Sequence, residues 1–214
     1  MNRIVLAAAM ITVLAGMVFP DGNNMGPEGD WRISGNRLYQ ESAGAPRAKA
    51  WIKVPQSGSM VYEFTVRYEG GILEDGHGGV GIHILSNSFP RGKSWGMGDS
   101  WLLWLNYDEN PLNPDIPRGL SGLVYKSTSN LEMELVQAVS LQQMESIAAQ
   151  RLDEDIPFKL TFLADKGQVF VEDPTGQSSG AYVDLPDSRN ANGEYVAVRT
   201  NGMKASFTSP DVEL

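Results

Sequence analysis

No cysteine occurs in the 214 residues, which removes disulfides, thiolate nucleophiles and cysteine-ligated zinc together. Histidine is nearly as scarce, with only His77 and His83, so a multi-histidine metal centre is excluded. Basic residues are outnumbered 26 to 17 by acidic ones, and they form no run. Nucleic acid and anionic membrane both require a positive footprint, so neither is an expected partner for a chain of net charge −9. What is plentiful is glycine (23) and proline (12), the punctuation of many short strands. The apolar share of 42% and charged share of 20% are ordinary for a globular protein. The length is enough for one well-buried domain.

Long apolar runs are also missing, with one exception. Ile4 to Ala15 is uncharged and apolar, and it follows Asn2 and Arg3. It is too short to span a bilayer but suits the core of a secretory signal. Val13 and Ala15 supply the small-residue pattern that precedes a cleavage site. The expectation is a signal peptide over residues 1–20, cut near 15/16, and one domain over 21–214. That places the protein in the periplasm or outside the cell, with no transmembrane anchor after processing. A retained N-terminal anchor is the alternative. No cysteine follows the run, which excludes lipid attachment. Loss of Arg3 takes the net charge from −9 to −10.

From Asp30 onward the dominant period is two, the mark of half-buried strands. Met60, Tyr62, Phe64, Val66 and Tyr68 fall on one side of a strand, and so do Val80, Ile82 and Ile84, with His83 opposite. Trp101 to Tyr107 is apolar on both faces and therefore central. Asn130 to Val136 alternates with Leu131, Met133 and Leu135 inward. Asp165-Lys-Gly167 and Asn201-Gly202 predict two hairpins. One stretch departs from this period: Leu141, Met144, Ile147, Ala148 and Leu152 stand at helical spacing. Ser140 and Gln143 there form a capping-box pattern, which predicts an amphipathic helix over 140–152. Many strands, turn punctuation and one helix predict an all-β antiparallel sandwich, with a barrel as the lesser alternative.

Four segments carry a family resemblance. They are Trp31 to Leu38, Tyr62 to Arg67, Gly79 to Leu85 and Gly193 to Phe207. Together they resemble the opening, core and closing strands of the laminin-G and concanavalin-A-like jelly-roll superfamily. The likeness spans about residues 30–210 by pattern, without a diagnostic motif. It implies a jelly-roll sandwich and no single function, because that architecture hosts lectins, glycosidases, adhesive modules and structural subunits.

Three groups of residues could carry chemistry. Glu132 and Glu134, two apart on a strand, would share a face. The family-16 glycoside hydrolases, built on this kind of jelly roll, use Glu-x-Asp-x-x-Glu on one strand. Here the second position is Glu134 and the third is Gln137, which has no proton to give. No tryptophan precedes the motif, so the pair reads as the wet face of a strand and no catalytic residue is assigned. Trp95, Asp99, Trp101, Trp104 and Tyr107 form an aromatic stretch. Trp95, between Ser94 and Gly96, is expected to present an exposed indole to a pyranose ring or a subunit interface. Trp101 and Trp104 have opposite parity, so at least one belongs to the core. Calcium, which laminin-G-like domains carry at a loop rim, would have Asp75 and Asp99. It needs six to eight oxygens, more than these supply, so no cofactor is assigned.

The expectation is a non-catalytic exported module that binds a glycan or an envelope protein through the rim bearing Trp95. The alternative is a structural subunit, in a homo- or hetero-assembly outside the cytoplasm such as the sheath of periplasmic flagella. A glycosidase relative using Glu132 and Glu134 ranks third.

Overall fold

The computed structural model describes residues 29–71, 76–90 and 94–208, with the backbone of 211–213. The expected signal segment lies outside the described residues, as does Asp75. In β4 (Met60–Gly70), Met60, Tyr62, Phe64 and Val66 are buried while Glu63 is exposed. The period-two pattern thus turns one side of the strand to the core, as the sequence predicts. β4 is a central strand of an eight-stranded antiparallel sheet. Its order is β1 (Trp31–Ser34), β2 (Arg37–Gln40), β13 (Lys204–Thr208), β4, β9 (Ile156–Leu163), β10 (Gln168–Val171) and β11 (Ala181–Asp184); β14 (Asp211–Glu213) also pairs with β4.

A six-stranded sheet lies against it. Its order is β3 (Ala48–Gln56), β12 (Gly193–Asn201), β5 (His77–Ser86), β6 (Ser100–Asp108), β7 (Gly119–Ser127) and β8 (Met133–Ser140). Between the sheets, Ile82, Ile84, Trp101, Val124 and Val198 meet Tyr62, Phe64, Phe162 and Phe207 in one apolar core. A buried polar knot fixes the two layers. Gln56 Oε1 accepts from the Tyr62 hydroxyl and from the Leu85 N–H, each at 2.8 Å, while Gln56 Nε2 donates to Tyr195 O at 2.9 Å. This is the sandwich expected of the concanavalin-A-like pattern, and β6, apolar on both faces, is an interior strand as expected.

Four expectations are corrected. Asn201-Gly202 does not close a hairpin: β12 belongs to the six-stranded sheet and β13 to the other, so the chain crosses between layers there. Gly202 at φ 66 makes the corner against His77 O, and Asn201 Oδ1 is occupied by the Arg47 N–H. The Asp165–Gly167 turn, by contrast, does join the paired strands β9 and β10.

The second correction concerns the helix, which is shorter than 140–152. A 3-10 turn (Gln142–Met144) leads into α1 (Glu145–Gln150); neither N-cap residue makes a side-chain cap, and Ser140 Oγ accepts only a long 3.5 Å bond from the Gln142 N–H. Ser140 is the last residue of β8, because its backbone stays in the ladder opposite Ser121. Ser140→Ala should therefore cost less than about 0.5 kcal/mol in a urea melt, below the range of a working N-cap.

Third, β8 starts at Met133, leaving Leu131 in a turn and 77% exposed. Met133 and Leu135 pack on the outer face of their sheet, with Trp104 and Leu123. Finally, the strands β3, β7 and β11 are not among those the sequence predicts.

Candidate functional site on the outer face of the six-stranded sheet

The two outer faces differ in chemistry. That of the eight-stranded sheet carries ion pairs open to water: Lys159 with Glu63 and Glu172, and Arg67 with Glu69. Such pairs mark a solvated surface and add little energy. The outer face of the six-stranded sheet is different, because polar, cationic and aromatic side chains are buried there.

Register defines that face. One row runs Lys49, Arg199, Gly81, Trp104, Leu123 and Ala138 across the six strands. The next runs Trp51, Ala197, His83, Leu102, Tyr125 and Leu135. Trp104 lies flat on β5 because Gly79 and Gly81 have no side chains. A Cβ at Gly79 would come within 2.5 Å of Trp104 Cζ2, and one at Gly81 within 2.8 Å of Cε3. Glycines two apart in a strand are a sequence sign of such an approach.

The loop before β6 folds back over this face, and two buried cations hold it. Lys49 Nζ donates to Ser94 O, and Arg199 Nη1 donates to Trp95 O at 2.6 Å. Lys49 is 3% and Arg199 2% exposed. Met97, fully buried, donates its N–H to Ser127 Oγ at 2.9 Å. The Arg199 guanidinium lies 4.7 Å from the Trp95 ring and 5.6 Å from the Trp104 ring, in range for cation–π attraction. Arg47 covers the Trp95 ring from 5.1 Å, and Tyr125 meets it edge-on at 6.4 Å.

The expected site residues divide accordingly. Trp95 is half-buried, where an exposed indole was expected, because two guanidinium groups and Tyr125 surround it. Trp104 joins it through Arg199. Trp101 is in the inter-sheet core at 2% exposure and out of reach of a ligand, since its parity on β6 points inward. Asp99 is exposed and ion-paired with Lys126. Tyr107 is at the far end of β6 and donates its hydroxyl to Glu109. Glu132 and Glu134 do not share a strand face: Glu132 sits in the turn before β8, its N–H bound by Ser129 Oγ and its carbonyl by the Thr128 N–H. Of the calcium pair, Asp75 lies outside the described residues. Among those residues no three acidic or histidine side chains gather as metal ligands.

Sequence reasoning passed over Arg47, Lys49, Arg199 and Tyr125, since a single charge or ring in a strand or the turn before it has no distinctive local pattern. It also passed over Trp51, Phe89 and Tyr195. Those rings cluster at the other end of the same face, with Trp51 stacked on Phe89 at 5.2 Å and edge-on to Tyr195 at 5.7 Å.

His83 lies under the loop, fully buried, with Nδ1 3.1 Å from Ser100 Oγ and Nε2 without a hydrogen-bond partner. Burial first, then the charges of Arg199 and Lys49, hold its pKa well below the usual 6.5. A depressed native pKa means that the unfolded chain takes the proton first as pH falls. The stabilisation is complete above about pH 6.5 and drains away below it, toward the native pKa. Urea melts should lose stability as the pH falls from about 6.5 to about 5. His83→Gln should flatten that slope; an unchanged slope in the variant would place its origin elsewhere.

No protein-family profile and no curated protein sequence matches the chain. Solved structures do. The carbohydrate-binding module CBM66 from Bacillus subtilis superposes with a TM-score of 0.53 at 13% identity, over 87% of this chain and 92% of that one. A legume lectin-like domain from Entamoeba histolytica gives 0.53 at 11%, over 89% of each chain. A Bacillus subtilis protein with a galectin-like fold gives 0.54 at 15%, over 87% of each. At such identities the likeness establishes the fold alone: the chain is an antiparallel β-sandwich of the kind these domains have.

Proposed function

We propose that this protein is a non-catalytic, exported carbohydrate-binding sandwich, and that it binds sugar at the patch formed by Trp95, Tyr125 and Arg47. The observation that carries the reading is the patch itself. The Trp95 indole, on a loop fastened to the sheet through Lys49 and Arg199, and the Tyr125 phenol, on β7, are both half-open at the surface. Pyranose rings offer C–H faces that pack on such rings, and a rigid platform loses little entropy on binding. The lectin-like and carbohydrate-binding neighbours support the same class. Catalysis is not part of the reading: cleaving a glycosidic bond takes two carboxyl groups across the bond, and Glu132 and Glu134 occupy a turn and a strand edge. Purified protein should be retained by a glycan array and should release no reducing ends from β-glucans or galactans. Trp95→Ala should weaken retention at least about tenfold, the equivalent of one lost aromatic contact. Unchanged retention would move the site away from Trp95.

Assembly is the second reading, favoured by β8. This edge strand exposes Val136 (37%) and Val139 (46%), with Leu131 (77%) just before it. Apolar edge strands invite pairing with another chain. Sedimentation of the purified protein as a monomer at every concentration, with no envelope protein captured by it, would dismiss this reading.

A further inference from the structure

Arg47 narrows which sugars the patch would take. Arg32, Arg37, Arg67 and Arg151 each meet a carboxylate at 2.6–2.8 Å. Arg47 does not: among the described residues its guanidinium has no ion-pair or hydrogen-bond partner, and it lies over the Trp95 ring. Its backbone is also unusual, with φ 59, a left-handed conformation that side chains other than glycine seldom adopt. That conformation is held by the Arg47 N–H on Asn201 Oδ1 at 3.1 Å, beside the corner where the chain passes between sheets. The strained backbone thus aims a half-buried, unspent fork of donors at the edge of the aromatic patch. Lys49 and Arg199 add positive charge beneath it, in a protein whose net charge is −9.

We propose that the patch takes acidic glycans, Arg47 receiving the carboxylate of a uronic-acid-type sugar while Trp95 and Tyr125 contact its ring. The inference rests on the sugar-binding reading above. A guanidinium presents parallel N–H groups that match a planar carboxylate with two hydrogen bonds, which a neutral hydroxyl cannot reproduce. The cation–π contact with Trp95 keeps the fork in place before the ligand arrives, so little order has to be imposed on binding.

The test is a glycan array of matched acidic and neutral sugars: galacturonan beside its full methyl ester, and glucuronic-acid-terminated chains beside glucose-terminated ones. The acidic member of each pair that binds should be retained roughly tenfold to hundredfold more tightly, as one charge-assisted contact requires. That preference should shrink with added salt. Arg47→Gln keeps an unbranched polar side chain and removes the charge; it should abolish the preference while leaving the urea midpoint in place. Equal retention of both members, or retention of neutral sugars alone, overturns the acidic specificity and leaves sugar binding standing. A preference that survives Arg47→Gln overturns the role of Arg47. If no glycan is retained, the sugar-binding reading itself fails, and this inference with it.

Discussion

Arg199→Ala should lose about 3–5 kcal/mol of stability and nearly all glycan retention together. The side chain is 2% exposed, donates to Trp95 O and packs between the Trp95 and Trp104 rings. Truncation leaves the buried carbonyl of Trp95 without that donor, which costs about 1–3 kcal/mol. It also leaves a void under two aromatic rings, and cavities of that kind add a comparable amount. The 94–98 loop would then hang on Lys49 and on the Met97–Ser127 contact, so the platform under a sugar would lose its rigidity before the sandwich unfolds. Urea denaturation followed by tryptophan fluorescence reads the first effect, and the array reads the second. A variant within about 1 kcal/mol of the parent would mean that the loop does not depend on Arg199.

Gly81→Ala should be nearly as damaging, for the opposite reason. The added carbon collides with Leu103 O on the neighbouring strand and reaches the Trp104 ring and Cα. Strand backbone cannot give way as a flexible side chain can, so β5 and β6 would have to part, at a cost of about 3 kcal/mol or more. Gly122→Ala is the control on the same sheet. Its Cβ meets only Leu141 Cδ1 at 3.6 Å, an ordinary contact, and stability should stay within about 0.5 kcal/mol. If the two substitutions cost the same, the close seat of Trp104 on β5 is not what holds this face.

Two-residue periodicity was sufficient to place β4 and β5, because burying one side of a strand leaves its imprint on consecutive residues; an apolar run marked β6, and the Asp165–Gly167 turn marked the β9–β10 hairpin. It also assigned Trp101 and Trp104 to opposite faces. It could not say that both faces of the six-stranded sheet would be covered. Trp104, Met133 and Leu135 are apolar for a reason that lies in distant segments: Ile116 packs with them, and Arg199, which fastens the 94–98 loop, reaches Trp104 and Met133. The same limit affected the turn at Asn201-Gly202. A hairpin and a crossing between sheets use the same dipeptide, and only the partners of β12 and β13 tell them apart.

The sequence by itself determined the class of fold, the interior position of β6, the absence of thiol and multi-histidine chemistry, and the lack of a catalytic third carboxyl at Gln137. Each follows from residue identity or from local spacing. The site was decided by tertiary structure. Arg47, Lys49, Trp95, Tyr125 and Arg199 come from three strands, a turn and a loop, up to 152 positions apart, and each sits in an unremarkable local sequence. What joins them is antiparallel register across the sheet, which sets Lys49 beside Arg199, and a loop that closes on those two charges. Such pairing is long-range, and no window of neighbouring residues contains it.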